Sequence, residues 1–167
     1  MRIKWTDYKN TLVEKNELIF YVYFNSNKKI KANINLLPLK DDCYSKLKSG
    51  LMLDKEISAD DIFTTHEKEL VNYIYCEGLN IVDDIYLRNI GSEFKNMIEN
   101  ISNVKRRIII GAFGGTIEGD RLMEEKLGFN IVSVGVNGKE EYKFYEIEYS
   151  MLLDKINSFF VVKNTIL

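Results

Sequence analysis

Apolar and polar positions recur along this chain with periods that assign most of its elements. The run "LIFYVYF" (Leu18–Phe24) is aromatic and β-branched, which favours a strand. A polar turn, Asn25–Lys29, follows, and then Ile30, Ala32, Ile34 and Leu36 alternate on one face, predicting a β-hairpin. Pro38 interrupts the pattern. From Asp41 to Leu53 the spacing predicts a helix, with acidic residues at its positive end and Gly50 near its stop. The stretch Asp61–Gly78 admits two readings. Thr64 and Glu67 form a capping box for a helix that turns Leu70, Val71 and Ile74 inward, or "IFTTH" and "LVNYIYC" are two strands joined at "EKE".

In the second half, "NIVDDIYL" (Asn80–Leu87) alternates as a strand does. Ser92 caps a helix whose Phe94, Met97, Ile98 and Ile101 share one face. Arg107–Phe113 reads as a buried strand, and "DRLMEEKLGF" as a short helix closed by Gly128. "NIVSVGV" and "KEEYKFYEIEY" flank Asn137-Gly138, the preferred type I′ hairpin turn, and Ser150 caps a last helix. This order predicts an α/β fold, a mixed central sheet of about six to seven strands flanked by helices. The expectation is one domain over residues 1–167, with no repeat or low-complexity tract.

Composition narrows the chemistry. With 167 residues, 46% of them hydrophobic, the chain buries enough surface to need no disulfide or metal staple. Lys and Arg total 23 against 25 Asp and Glu, a net charge of −2, so a nucleic-acid-coating role is not expected. The short basic run Val104–Arg107 reads as a solvated turn. One histidine, His66, and two cysteines, Cys43 and Cys76, are too few for most zinc sites, and no metal is expected. Any Ser-His-Asp or Cys-His mechanism has to pass through His66. The cysteines read as reduced thiols, and neither a secretory signal nor a membrane-length apolar run is visible, so a cytoplasmic protein is expected. Gly111, Gly114, Gly115 and Gly119 follow a strand but match neither a dinucleotide fingerprint nor a phosphate loop, and read as a flexible turn. Tyr145 and Tyr149 share a face that Tyr142 does not, and cross-strand packing accounts for them.

The succession of strand "NIVDDIYL", helix from Ser92, strand "RIIIGAF", helix ending "EEKLGF" and closing hairpin resembles the GNAT superfamily of N-acetyltransferases. "MEEKLGFNIVSVGVNGKEEYKFYEIEY" (Met123–Tyr149) resembles that family's closing helix and two final strands, and "LVNYIYCEGLNIVDDIYLR" its third and fourth strands. The likeness spans roughly residues 60–149 and favours the hairpin reading of 61–78, whereas the hairpin at 18–36 is atypical. It implies acetyl-CoA as cosubstrate and an amine acceptor, a small molecule or a protein. In the family a turn of Arg or Gln, two residues, Gly, one residue, then Gly or Ala presents backbone N–H groups to the coenzyme pyrophosphate, which suits a helix N-terminus. Here the matching stretch is Arg88–Phe94: Arg88 and Gly91 fit, and Glu93 stands at the last position. The resemblance therefore implies cofactor contacts at Ile85, Tyr86, Leu87, Arg88, Asn89, Ile90, Gly91 and Ser92. The pantetheine arm is expected where strand 80–87 splays from strand 107–113. Asp83 or Asp84 is the expected general base, and only one of two adjacent strand residues reaches a given cleft. Glu124 stands where the family often has a general-acid tyrosine.

Two functional classes follow. One is acetyl transfer from acetyl-CoA to an amine. The other is a non-enzymatic protein-binding domain, such as an immunity protein or antitoxin, whose aromatic strand supplies the contact surface.

Overall fold

The computed structural model describes residues 7–81, 87–137 and 140–161. Its centre is one mixed sheet of six strands: β1 (Phe20–Phe24), β2 (Ile30–Leu39), β3 (Tyr73–Ile81), β4 (Ile109–Phe113), β5 (Asn130–Asn137) and β6 (Glu140–Glu148), in the order β1-β2-β3-β4-β6-β5. Neighbours are antiparallel except β3 and β4, which run parallel. This is the mixed α/β sheet that the pattern predicts.

Five α-helices cover the sheet: α1 (Asp7–Lys15), α2 (Asp41–Lys48), α3 (Leu87–Ile101), α4 (Ile117–Arg121) and α5 (Tyr149–Val161). A π-helical segment, Leu122–Leu127, continues α4 and ends at Gly128 in the left-handed conformation (φ 75°), where glycine carries no Cβ penalty. One face of the sheet packs Ile34, Leu36, Ile74, Ile110 and Tyr145 against Phe94, Met97, Ile98 and Ile101 of α3 and Leu152 and Ile156 of α5. The other face packs Leu37, Leu39, Tyr75 and Phe144 against Leu12 of α1 and Cys43, Tyr44 and Leu47 of α2. Gly111 lets the sheet approach α2, since a Cβ there would overlap the Tyr44 hydroxyl and the Phe144 ring.

Several elements depart from the sequence reading. Pro38 sits inside β2 opposite Ile74, not at a break. Because β1 reaches only as far as Asn35, the proline removes no ladder bond, and its carbonyl accepts from Phe63 N at 2.9 Å. The helix from Asp41 stops at Lys48 rather than Leu53. Between 61 and 78 neither reading holds whole. Thr64 and Glu67 do form a capping box, yet it opens a 3₁₀ segment, Thr65–Leu70, and the strand begins at Tyr73. Ile62 contributes a single bridge to Leu39.

The strand expected at Asn80–Leu87 lies earlier. β4's parallel partner is β3; among the described residues of that expectation Asn80 and Ile81 are strand and Leu87 opens α3, and residues 82–86 lie outside the described residues. Ser92 is not a cap, because α3 begins five residues before it. Ile90, 4% exposed, extends the apolar stripe of Phe94, Met97 and Ile98 by a turn toward the N-terminus. That burial outweighs the roughly 1 kcal/mol penalty of Gly91 inside a helix. At the chain's other end α5 starts at Tyr149, whose N–H donates to Ile108 O, while the Ser150 hydroxyl donates to the Glu148 carboxylate. The Asn137-Gly138 turn extends beyond the described residues, though β5 and β6 pair up to Asn137 opposite Glu140.

Candidate functional site

The parallel pairing of β3 with β4 covers only three residue pairs, Tyr73–Tyr75 with Ile109–Gly111, and beyond them the strands part. A cleft of about 230 Å³ opens in the gap. One wall is the β3 segment Cys76–Asn80. The other is Ala112 and Phe113 of β4, the Gly115–Thr116 turn and Leu122, Met123 and Leu127 of the π-helical segment, with Phe94 of α3 and Phe129 completing the lining. Most of that surface is apolar, and a Cβ at Gly115 would meet open space.

Polar groups collect on the β3 side. Asn35 pairs with Gly78 and Leu36 with Cys76, so Glu77 is one residue too many for its partner strand and forms a β-bulge. Glu77 is also among the residues that line the cleft. Its Oε2 accepts from Asn35 Nδ2 and from Lys9 Nζ, both at 3.3 Å, with the carboxylate side chain 12% exposed. Asn35 is buried, and its Oδ1 has no hydrogen-bond partner among the described residues. An unpaired buried acceptor costs on the order of 1–3 kcal/mol. Next to the bulge, burial first and then the Glu77 carboxylate push the Cys76 thiol up to about 12, although the Gly78 N–H pulls the other way. Cys76 is therefore a neutral wall residue at ordinary pH. Cys43 is also free and is held at about 12 by burial and the Asp61 carboxylate.

In the π-helical segment, Glu124 accepts a 2.7 Å hydrogen bond from the Tyr145 hydroxyl, and Lys143 Nζ lies 3.4 Å from Asp120 and 3.8 Å from Glu124. Burial, then the bond to Glu124, raises the Tyr145 hydroxyl well above the ordinary phenol range. Glu124 is thus anchored to β6.

Asp83, Asp84, Ile85 and Tyr86 lie outside the described residues. Leu87, Arg88, Asn89, Ile90, Gly91 and Ser92 are all helical, in the first two turns of α3 rather than in a turn before it. The first-turn N–H groups outside the helical ladder therefore belong to Leu87–Asn89, while those of Ile90, Gly91 and Ser92 are within the helical hydrogen-bonding pattern. Glu93 is turned toward β1, where its charge helps raise the Tyr21 hydroxyl after burial has done so. Glu77 was not among the sequence candidates. The signal for it was a lone carboxylate followed by glycine inside an apolar strand run, which is how a bulge reads.

No family model matches the chain, and no curated protein matches its sequence. Solved structures do match its fold. The polyamine N-acetyltransferase of Drosophila melanogaster, an enzyme that catalyses the formation of N-acetylagmatine, superposes with a TM-score of 0.50 and 10% identity, over 84% of this chain and 79% of that one. The spermidine/spermine N-acetyltransferase SpeG of Vibrio cholerae gives a TM-score of 0.44 and 11% identity, over 81% and 69% of the two chains. A further acetyltransferase gives 0.41 and 16%, over 78% and 69%. The chain has the GNAT acyl-CoA N-acyltransferase fold: a mixed six-stranded sheet flanked by helices.

Proposed function

We propose that this chain transfers an acetyl group from acetyl-CoA to an amine in the cleft between β3 and β4. The observation that carries the reading is the splay itself, a narrow apolar slot between two parallel strands with one carboxylate bulged onto its rim. The slot suits a pantetheine arm, with Leu79, Phe94 and Met123 as apolar walls and the β3 backbone from Cys76 to Asn80 lining one side. The first-turn N–H groups of α3 and the positive end of its dipole suit the pyrophosphate, with Arg88 in that turn. Acetyl-CoA supplies the activated carbonyl.

Glu77 takes the base role expected of Asp83 or Asp84. It removes a proton from the acceptor ammonium, exposing the nitrogen lone pair, while backbone N–H groups beside the bulge polarise the carbonyl. A positioned base of this kind is worth roughly 10²–10⁴-fold in rate. The polyamine N-acetyltransferase of Drosophila melanogaster, which shares the fold, supports a small cationic amine as acceptor here. Titration calorimetry with acetyl-CoA, followed by thiol release with spermidine or agmatine present, tests this reading. One-to-one binding and amine-dependent thiol release are expected, and silence at millimolar acetyl-CoA overturns it.

One observation favours the protein-binding alternative. β5 forms a sheet edge with no charged residue along it, and its Val134 is 64% exposed. Calorimetric silence with acetyl-CoA would place that reading first.

A further inference from the structure

The ammonium nearest to Glu77 belongs to the chain itself. Leu12, fully buried, fixes the inward face of α1, and Lys9, one turn before it, shares that face. Lys9 Nζ lies 3.3 Å from Glu77 Oε2 and 5.4 Å from the centre of the Phe20 ring, with its side chain 28% exposed. A carboxylate on one side and an aromatic face on the other are what an alkylammonium group seeks. Asn35 holds the carboxylate from behind, so Glu77 does not need Lys9 to keep its place.

We propose that Lys9 is an internal acceptor: its ε-amine occupies the acceptor subsite and is acetylated in cis by acetyl-CoA bound to the same chain. This rests on the acetyl-transfer reading above. Glu77 takes one proton from the Lys9 ammonium, and the freed Nζ lone pair forms a C–N bond to the thioester carbonyl carbon. The C–S bond then breaks, and the departing coenzyme A thiolate takes the second proton from nitrogen. The proton left on Glu77 goes to water, and the products are acetyl-Lys9 and free coenzyme A thiol. Acetyl-Lys9 is neutral, so it no longer pairs with Glu77, and the subsite is released to an external amine.

The test has two arms. In the first, protein is incubated with acetyl-CoA and peptides are mapped by mass spectrometry, alongside Glu77→Gln and Lys9→Arg, with acetyl-CoA affinity measured for each. The expected result is one acetyl group on Lys9, formed at a rate independent of protein concentration and roughly 100-fold slower in Glu77→Gln. The second arm needs no thioester. Calorimetry with 1,4-diaminobutane should show several-fold tighter binding in Lys9→Ala than in wild type, and loss of that gain when Glu77→Gln is added. Acetyl-CoA binding and diamine acetylation with Lys9 unmodified would overturn the inference and leave the transfer reading standing. Acetyl groups spread over exposed lysines such as Lys28 and Lys29, unaffected by Glu77→Gln, would overturn it as solution chemistry. Diamine binding indifferent to Lys9→Ala would also overturn it, and absence of acetyl-CoA binding would remove both readings together.

Discussion

Ala112→Leu separates the cleft from the core that surrounds it. Ala112 is 6% exposed and forms part of the β4 wall where the strands part. Leucine adds three carbons. In a filled core such an insertion costs about 1–3 kcal/mol through displaced rotamers and backbone. Here about 230 Å³ of open slot lies in front of the side chain. Burying three more carbons there contributes up to about 2.4 kcal/mol, at about 0.8 kcal/mol each. The two effects nearly cancel, so the urea midpoint should stay within about 1 kcal/mol of wild type. The slot itself is narrowed where the acyl arm is proposed to lie. Acetyl-CoA affinity measured by calorimetry should fall at least tenfold, about 1.4 kcal/mol. A folded Ala112→Leu protein that binds acetyl-CoA as tightly as wild type would refute the assignment of this cleft to the coenzyme.

Two further outcomes follow from the buried groups. Cys43 and Cys76 are held near 12 in the folded chain against 9.0 ordinarily, so above about pH 9 the unfolded chain has lost thiol protons that the folded one keeps. Stability from these groups is therefore complete below about pH 9 and declines as pH rises toward 12; urea midpoints across that range should fall for wild type and flatten in a Cys43→Ala, Cys76→Ala double variant. Tyr44 donates a 2.9 Å hydrogen bond to Glu146, which also pairs with Lys48 at 2.9 Å. Tyr44→Phe should lower unfolding free energy by about 1.5–3 kcal/mol, the range for a bond to a charged group, and a loss under about 0.5 kcal/mol would show that Lys48 alone satisfies the carboxylate.

Local patterns carried most of the fold. The hairpin of β1 and β2, the α3 stripe from Phe94 to Ile101 and the Gly128 stop are each set by neighbours in sequence, and each is found where its spacing places it. The errors arise where tertiary contacts decide. Ile90 finds a place in the core and pulls the start of α3 back past Ser92. The bulge at Glu77 breaks the alternation of β3, which hid the strand's true span. Nothing local to Glu77 shows that Lys9, 68 residues away, will meet it. Asp83 and Asp84 stood out as adjacent carboxylates in an alternating run, whereas Glu77 gains its place only from the register of β3 against β2.

The short parallel seam has a consequence for how the molecule assembles. β1, β2 and β3 follow one another in sequence and pair as direct neighbours, and the other half, within residues 109–148, sets β6 between β4 and β5. Joining the halves requires closure across α3. Only the Tyr73–Tyr75 and Ile109–Gly111 pairs span that junction within the sheet. The two halves meet along a waist narrower than either of them, and the cleft beyond it exists in neither half alone. It is created at the moment the chain's two halves come together.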